Sequence, residues 1–289
     1  MKPKNKPAYI TRPFLERFIS NALKEDIGDG DHTSLACVPA RAKGRARLLV
    51  KDPGIIAGVE LAQLIFKKVD RALNVKVLIA DGKRVEPGDV VLTVSGNDRS
   101  ILTAERLVLN CMQRMSGIAT LTNRIVDHCK DAKTKVLDTR KTTPGMRLIE
   151  KWAVKIGGGE NHRIGLYDMI LIKDNHVDYC GGIRNAIEAA NVYLKKKKKK
   201  LKIEIEVRNM KELQEVLQTG KVDRILLDNM SPLEMKNAVE IVKGRFETEA
   251  SGGITEVNVH EYALSGVNYI SIGALTHSYR SLDLSLKAF

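Results

Sequence analysis

The feature that most constrains the fold is a regular alternation of short apolar runs and amphipathic helical segments in the second half of the chain. Helical spacing predicts helices at about 146–155, 182–194, 210–219, 232–243 and 256–265. The runs around them have the length and residue types of buried strands: KVLDT, MILIKD, IEIEV, RILLDN, TEASG and YISIG. Strand, helix and parallel strand repeated at this spacing are typical of an α/β fold.

Each predicted strand also ends in a polar or glycine cluster. Functional groups at the carboxyl ends of successive strands are typical of a (β/α) barrel, whereas an open sheet concentrates them at one switch point. The pattern therefore favours a barrel with fewer than eight strands. The clusters are Asp138 to Lys141, Lys173 to Asn175, Glu204 with Glu206, Asp228-Asn229, Ser251 to Gly253, and Gly273-Ala274.

The first hundred residues predict an α+β region with a small antiparallel sheet. Helical spacing covers residues 9–27, GDGDHTS follows as a loop, and residues 45–60 predict two short strands joined by a Pro-Gly turn. LAQLIFKKV predicts a helix, and VKVLIADGKRVEPGDVVLTVSG a pair of strands. A long helical pattern from residue 101 is interrupted near Ser116-Gly117.

Composition limits the class of protein. No apolar run approaches the roughly 20 residues that span a bilayer, and the basic N-terminus, MKPKNKPAYI, lacks the apolar core of a secretory signal, so we expect no membrane association and a cytoplasmic protein. Four distant cysteines predict free, mostly buried thiols. The net charge of +13 raises the question of nucleic acid, but Lys195–Lys200 with Lys202 carry seven of these charges, and such a run is usually a solvated surface.

Five cationic side chains lie at the ends of apolar runs or beside glycine rather than along a polar helix face. They are Arg140, Lys141, His162, Arg163 and Lys173. Cations that converge without matching acids predict a ligand with several negative charges. His162 could donate to a carboxylate or act as a general acid, whereas His176 is predicted on the loop after its strand.

Two glycine turns and three acids complete the predicted site. Ser251-Gly252-Gly253 and Ile272-Gly273-Ala274 each follow a strand and precede a helix, which favours phosphate binding over a merely tight turn. Glu204 and Glu206 share one face of a strand and Asp228 ends the next. These acids could hold hydrated Mg²⁺, bind sugar hydroxyls or pair with the cations. No Walker or Rossmann glycine pattern and no zinc motif occurs.

Several of these segments, in this order, resemble the quinolinate phosphoribosyltransferase family over roughly residues 22–287. The matching segments are EDIGDGDHTS, TAERLVLNCMQRMSGIAT, TRKTTPGMR, GGGENHRIGLYDMILIKDNH, IEIEV, ILLDNM, EASGGI and SIGALTHS. The resemblance implies an N-terminal α+β sandwich domain at 1–115, joined by 277–289, and an incomplete (β/α) barrel at 116–276.

The resemblance also implies an activity and an assembly. Family members are pentosyltransferases that join quinolinate to 5-phosphoribosyl-1-pyrophosphate with Mg²⁺, giving nicotinate mononucleotide, pyrophosphate and CO₂ for NAD biosynthesis. They form head-to-tail homodimers, in some members a hexamer, in which one subunit inserts an arginine into its partner's active site. Arg106 in TAERLVLN matches that arginine.

Other site residues are carried over by position in the matching motifs. The resemblance implies catalytic roles for Arg140, Lys141, Lys173, Glu206 and Asp228, of which Glu206 and Asp228 would also hold the metal. Glu204 is the alternative to Glu206. Substrate binding is implied for these five and for Arg106, Thr139, His162, Arg163, Ser251, Gly252, Gly253, Ile272, Gly273, Ala274 and His277.

Two other functions fit parts of the pattern. A nicotinate phosphoribosyltransferase of the same architecture would need fewer cations, since its substrate has one carboxylate. A nucleic-acid-binding protein would depend on the lysine run, so that loss of Lys195–Lys200 would abolish its function but spare phosphoribosyl transfer. The run has no counterpart in the family motifs, and it lies in a helix-to-strand connection away from them.

Overall fold

A computed structural model describes residues 6–289, so part of the basic N-terminus lies outside the described residues. The chain divides into two compact units. The first contains the chain up to Asn123 with 148–158 and 279–289, and the second contains 124–147 and 159–278. The predicted domain ranges, 1–115 with 277–289 and 116–276, differ from these units chiefly because residues 148–158 belong to the first unit.

The first unit is built on a four-stranded antiparallel sheet of order β12-β1-β5-β3, and a separate ladder pairs β2 with β4. The strands predicted within 45–60 therefore do not pair with each other. Its elements are α1 (Arg12–Ile27), α2 (His32–Cys37), β1 (Lys43–Val50), β2 (Gly54–Ile55), α3 (Val59–Val69), β3 (Asn74–Val77), β4 (Arg84–Val85), β5 (Val90–Asn97), most of α4 (Asp98–His128), most of α5 (Arg147–Ile156) and β12 (Leu284–Ala288).

Helix α2 corrects the prediction of a loop at GDGDHTS, because the loop ends at Asp31 and a helix begins at His32. The Asp31 side chain accepts a hydrogen bond from the backbone N–H of Ser34 at 3.1 Å. An aspartate in this position satisfies one of the free donors at a helix start. This N-cap makes a short helix possible in a segment whose glycines suggest a loop.

Helix α4 is continuous, so the predicted interruption at Ser116-Gly117 is wrong. The Ser116 hydroxyl accepts from Ala57 N at 2.9 Å and donates to Ala57 O, so it is satisfied outside its own helix. A Cβ on Gly117 would lie 2.2 Å from the carbonyl oxygen of Arg280. Glycine is needed here for close backbone approach rather than to end the helix.

The second unit is a six-stranded sheet of order β6-β11-β10-β9-β8-β7, and every adjacent pair is parallel. Its strands are β6 (Lys135–Leu137), β7 (Ile170–Ile172), β8 (Ile203–Val207), β9 (Arg224–Asp228), β10 (Glu247–Ser251) and β11 (Tyr269–Ser271). The first strand pairs with the last, as in a barrel, and only the junction between β6 and β7 lacks strand pairing. The predicted α/β fold with an incomplete barrel is confirmed.

Helices connect the strands of this unit. They are α6 (Asp174–Cys180), α7 (Ile183–Lys197), α8 (Met210–Thr219), α9 (Pro232–Val242), α10 (Val259–Leu264) and α11 (Ala274–His277). The lysine run begins in the last turn of α7, and Lys198 adopts a left-handed backbone with φ of 51°. Lysines there complement the partial negative charge of a helix C-terminus.

Two further expectations from the sequence concern the cysteines and membrane-spanning segments. The four cysteines are free as expected, but Cys37 and Cys180 are exposed, so the thiols are not mostly buried. Within residues 6–289, no helix has the length and apolar character required to cross a bilayer.

Candidate active site

A cavity of about 530 Å³ opens at the carboxyl ends of the barrel strands in the second unit. Most of the predicted site residues meet there, because parallel strands bring their carboxyl ends to one edge. The predicted residues that line it are Thr139, Arg140, Lys141, His162, Arg163, Lys173, Asp228, Ser251, Gly252 and Gly253. The sequence therefore identified the main components of this cavity.

The loop after β6 carries the first two cations. Its backbone is held by a bond from Lys141 N to the Thr139 hydroxyl at 3.0 Å, and the Thr276 hydroxyl donates to Lys141 O at 2.9 Å. Arg140 Nε is buried without a hydrogen-bond partner. Because a buried donor is costly to leave unpaired, a ligand that accepts from Arg140 has a strong advantage.

Arg163 adds a second guanidinium to the cavity lining. Its Nη1 donates to Met169 O at 3.3 Å. Burial and then the positive charge of Arg140 lower the pKa of Arg163. The two like charges repel each other in the protein alone. An anion placed between them would remove that repulsion and gain charge-assisted hydrogen bonds.

The acidic strand ends lie at and beside this cavity. Lys173 Nζ lies 2.8 Å from Glu206 Oε2, and Glu206 is only 6% exposed. Burial and then the charge of Glu206 raise the pKa of Asp228, which accepts from Asn229 at 2.6 Å. Two carboxylates that repel each other fit Mg²⁺, which takes one or two carboxylates together with substrate phosphates. Glu206 and Asp228 are thus suited to hold such an ion.

The glycine turn after β10 is shaped by close packing. Gly252 has φ of +94°, and a Cβ there would lie 2.2 Å from Asn229 Oδ1. Gly253 has φ of +61°. At Gly273 a Cβ would lie 2.9 Å from Lys141 Cδ and 3.0 Å from His277 Nε2, so this second turn also lies beside the site. Glycine gives both turns the space that a side chain would fill.

His162 lies deeper, among acids that are fully buried. Its Nε2 is 3.0 Å from Glu204 Oε2 and 3.5 Å from Glu249 Oε1, and both glutamates are 0% exposed. Arg224 Nη1 lies 2.8 Å from Glu249 Oε2 and supplies a balancing positive charge. The expectation of cations without matching acids is therefore wrong for His162 and for Lys173.

The remaining predicted residues lie outside the cavity lining. Arg106 is exposed on α4 in the first unit. Glu206 lies behind Lys173, and Ile272, Gly273, Ala274 and His277 form the turn and short helix after β11. His176 lies within α6 rather than on a loop, and its Nδ1 accepts the N–H of Lys173 at 2.9 Å. That contact gives His176 a capping role.

Four cavity residues were missed by the sequence analysis: Leu171, Leu226, Glu249 and Ser271. Each lies two positions before a predicted site residue. Because side chains on one face of a strand recur every two residues, reading back two positions from each strand end would have found all four.

Comparison with known proteins identifies the family of both units. Residues 118–287 match the model of the quinolinate phosphoribosyl transferase C-terminal domain, and residues 31–116 match the N-terminal domain. An Arabidopsis thaliana protein named chloroplastic nicotinate-nucleotide pyrophosphorylase [carboxylating] is 48% identical over 99% of this chain and 85% of its own length. A Bacillus subtilis protein named as a probable enzyme of this activity is 39% identical over 94% of this chain and 92% of its own.

Solved structures agree with the sequence matches. The nicotinate-nucleotide pyrophosphorylase from Francisella tularensis superposes with a TM-score of 0.91 at 37% identity, covering 100% of both chains. The crystal structure of NadC from Streptococcus pyogenes superposes with a TM-score of 0.91 at 36% identity, covering 97% of this chain and 99% of that chain. With both of its domain models matched, the chain belongs to the quinolinate phosphoribosyltransferase family.

Proposed function

We propose that this protein transfers the phosphoribosyl group of 5-phosphoribosyl-1-pyrophosphate to quinolinate and releases pyrophosphate and CO₂, forming nicotinate mononucleotide for NAD biosynthesis. The relatives' names, with both domain models, support this activity. The observation that carries it within this chain is the pair of guanidinium groups, Arg140 and Arg163, lining one cavity with Arg140 Nε unpaired. A dicarboxylate satisfies two guanidiniums, whereas a monocarboxylate satisfies one.

Three groups of residues in and beside the cavity receive different parts of the substrates. Arg140 and Arg163 hold the quinolinate carboxylates, and Lys141 and Lys173 line the region where the pyridine ring meets the sugar donor. The turns at Ser251–Gly253 and Ile272–Ala274, with His277 beside the second, receive the 5-phosphate through backbone N–H groups. Thr139 shapes the first loop through its bond to Lys141 N.

Glu206 and Asp228 would hold Mg²⁺, which would supply positive charge to offset that of the substrate phosphates. The choice of Glu206 over Glu204 is supported by their surroundings. Glu204 lies against His162 and is fully buried, whereas Glu206 lies beside Lys173 and influences the pKa of Asp228. Of these two glutamates, Glu206 is therefore the one that lies next to Asp228.

The chemistry depends on placement of charge rather than on one acid or base. The bond between C1 of the ribose and pyrophosphate breaks through an oxocarbenium-like state while the pyridine nitrogen forms its bond to C1. Lysines and arginines held in fixed positions stabilise the departing negative charge. The ring nitrogen is then positive, so the carbon–carbon bond to the 2-carboxylate breaks, CO₂ leaves, and a proton replaces it on the ring carbon.

The active enzyme is a homodimer, and a hexamer is a larger form of the same assembly. This proposal rests on the exposed position of Arg106, which lines no part of the cavity described above, and on the match of its motif to the arginine that family members donate to a partner. A cytoplasmic location remains a prediction, since the name of the Arabidopsis relative places that protein in the chloroplast.

Release of CO₂ from carboxyl-labelled quinolinate tests the activity directly. With 5-phosphoribosyl-1-pyrophosphate and Mg²⁺ present, we expect stoichiometric nicotinate mononucleotide, pyrophosphate and labelled CO₂. A Lys195–Lys200 to glutamine variant serves as the control and retains the activity, because these lysines lie outside the cavity. Turnover with nicotinate but not with quinolinate would instead assign the non-decarboxylating reaction.

A further inference from the structure

Helix α2, in the first unit, is too short to be stable by itself. It has six residues, whereas isolated helices shorter than about 12–15 residues are marginal in water. Its place in the fold must therefore come from contacts with its neighbours. Side chains at both of its ends join it to the beginning of α4, the helix that carries Arg106.

Asp31 joins the first end of α2 to α4 through one carboxylate. Its Oδ1 accepts from the backbone N–H of Ser34 at 3.1 Å and so caps α2. Its Oδ2 accepts from the hydroxyl of Thr103, on α4, at 3.1 Å. The residue that starts α2 thus also fixes the distance between the two helices at this point.

Arg99, in the first turn of α4, holds the other end. Its Nη2 donates to Leu35 O at 3.0 Å and its Nε donates to Val38 O at 2.7 Å. Carbonyl groups in the last turn of a helix lack partners within that helix, so the guanidinium completes them. Because Arg99 lies four residues before Thr103, α2 runs antiparallel along the first turns of α4.

Arg106 lies where this contact ends. It follows Thr103 by three residues, and residues at this spacing are neighbours on the surface of a helix. Thr103 is half-buried, whereas Arg106 is exposed. A long side chain in such a position has many conformers, and binding an anion requires that it lose most of them.

We propose that Asp31 and Thr103 are positioning residues for Arg106. By holding α2 against α4 they limit the conformers of the arginine side chain, so that less conformational entropy is lost when it binds. Both residues act through Arg106 rather than on the substrate itself. The inference rests on the proposed homodimer, in which Arg106 completes the cavity of the partner subunit.

Steady-state kinetics of single variants test the effect first. Asp31→Ala should raise the KM for quinolinate about 3- to 10-fold, the loss expected when one long side chain must be ordered on binding. The value of kcat should change less than about 2-fold, because the effect is on binding. Thr103→Val, which lacks the hydroxyl, should show the same rise in KM, and Thr103→Ser should remove most of it.

Thr11→Ala is the matched control, because Thr11 caps α1 in the same unit by accepting from Phe14 N at 3.4 Å. Loss of that cap should leave the KM unchanged. A rise in Asp31→Ala that Thr103→Val does not share would overturn the link between α2 and α4. An equal rise in Thr11→Ala would show that any lost cap has this effect.

Mixing of variants distinguishes positioning in the partner's site from an effect within the same subunit. A dimer of Asp31→Ala with Arg140→Ala has one site that takes Arg140 from the first subunit and Arg106, with its Asp31 intact, from the second. Below the wild-type KM, exchange of subunits should therefore raise activity about 2- to 5-fold over the same two preparations unmixed. A mixture of Asp31→Ala with Arg106→Ala should show no rise, because no site in it has both Arg106 and Asp31 intact on the donating subunit and a second, unaltered subunit.

No rise with Arg140→Ala would mean that Asp31 acts within its own subunit or only on folding, and would overturn the proposal. The mixture of Arg106→Ala with Arg140→Ala tests the shared site separately. Recovery there, with no rise in the Asp31→Ala mixture, removes this inference alone. No recovery in either mixture removes the shared site and this inference together, while release of labelled CO₂ by the wild-type protein still reports on the proposed activity.

Discussion

Among single residues, Arg140 has an environment that is incomplete without a ligand. Its Nε is buried and unpaired, and its positive charge, after burial, lowers the pKa of Arg163. Neither fact follows from the motif that contains Arg140, because burial and unpaired donors are produced by the surrounding strands and loops. The residue type could be predicted from sequence, while the physical reason for expecting an anion beside it came from its surroundings.

Arg140→Ala should raise the KM for quinolinate by roughly 10- to 100-fold, the loss expected for charge-assisted hydrogen bonds. Arg140→Lys should recover only part of this, because lysine cannot present a bidentate pair of donors. Steady-state kinetics with each substrate varied in turn measure the effect. Arg184→Ala, at an exposed position on α7, is the matched control. Full activity of Arg140→Ala would contradict the assignment.

Asp228→Asn should separate activity from stability. The pKa of the Asp228 carboxyl is raised in the folded state, so the folded protein binds this proton more tightly than the unfolded chain does. The contribution of Asp228 to stability therefore falls as the pH rises from its unfolded pKa through its folded pKa. Without Mg²⁺ at pH 7, the variant should therefore be more stable by roughly 0.5 kcal/mol, the size of a screened charge pair, yet inactive.

Urea unfolding at pH 7 and at pH 4 measures this effect, and the gain should shrink at the lower pH as Asp228 takes up its proton. Asp131→Asn, at an exposed position, is the control and should change neither property. A loss of stability at pH 7 in Asp228→Asn would show that the carboxylate is favourable to the fold.

At the level of elements, periodicity predicted the second unit well. Helix α8 has the predicted bounds of 210–219, and the neighbouring helices differ by a few residues at their ends. The errors fall where tertiary contacts override a local signal. Gly117 suggests a break in α4, but its real constraint is the carbonyl of Arg280, which is more than 160 positions away in the sequence.

Gly117→Ala tests this account of α4. Alanine has a higher helix propensity by about 1 kcal/mol, but its Cβ would lie 2.2 Å from a backbone oxygen that cannot move freely. Overpacking of this kind costs about 1–3 kcal/mol, so we expect net destabilisation. Asn110→Ala, at an exposed position on the same helix, should change stability little. Chemical unfolding compares them, and a stabilised Gly117→Ala would refute the close contact.

At the level of the whole molecule, we propose that a second copy of the chain completes the site. Arg106 is exposed on α4, and its proposed role is to complete the partner's cavity. At quinolinate concentrations below the wild-type KM, Arg106→Ala and Arg140→Ala should each be nearly inactive as homodimers. A heterodimer of the two variants contains one site with both arginines intact, because each site takes Arg106 from one subunit and Arg140 from the other.

Mixing the two inactive variants, with exchange of subunits, should restore roughly a quarter of wild-type activity, since half of the dimers are mixed and each has one intact site. Refolding the variants together, or coexpressing them, provides the exchange. Mixtures of Arg140→Ala with Lys141→Ala are the control, because both changes fall in the same site of a subunit. No recovery in the Arg106 mixture would disprove the shared site.

The sequence by itself determined the order of strands and helices, the chemistry at each strand end and the family, because periodicity and motifs are local properties of the chain. Only the tertiary structure decided which charges meet. Glu249 and Arg224 lie 25 residues apart in sequence, yet they form an ion pair behind His162 inside the barrel. Strand register and burial set such pairs, so they turned His162 from a predicted free cation into a ring held between Arg163 and two buried acids.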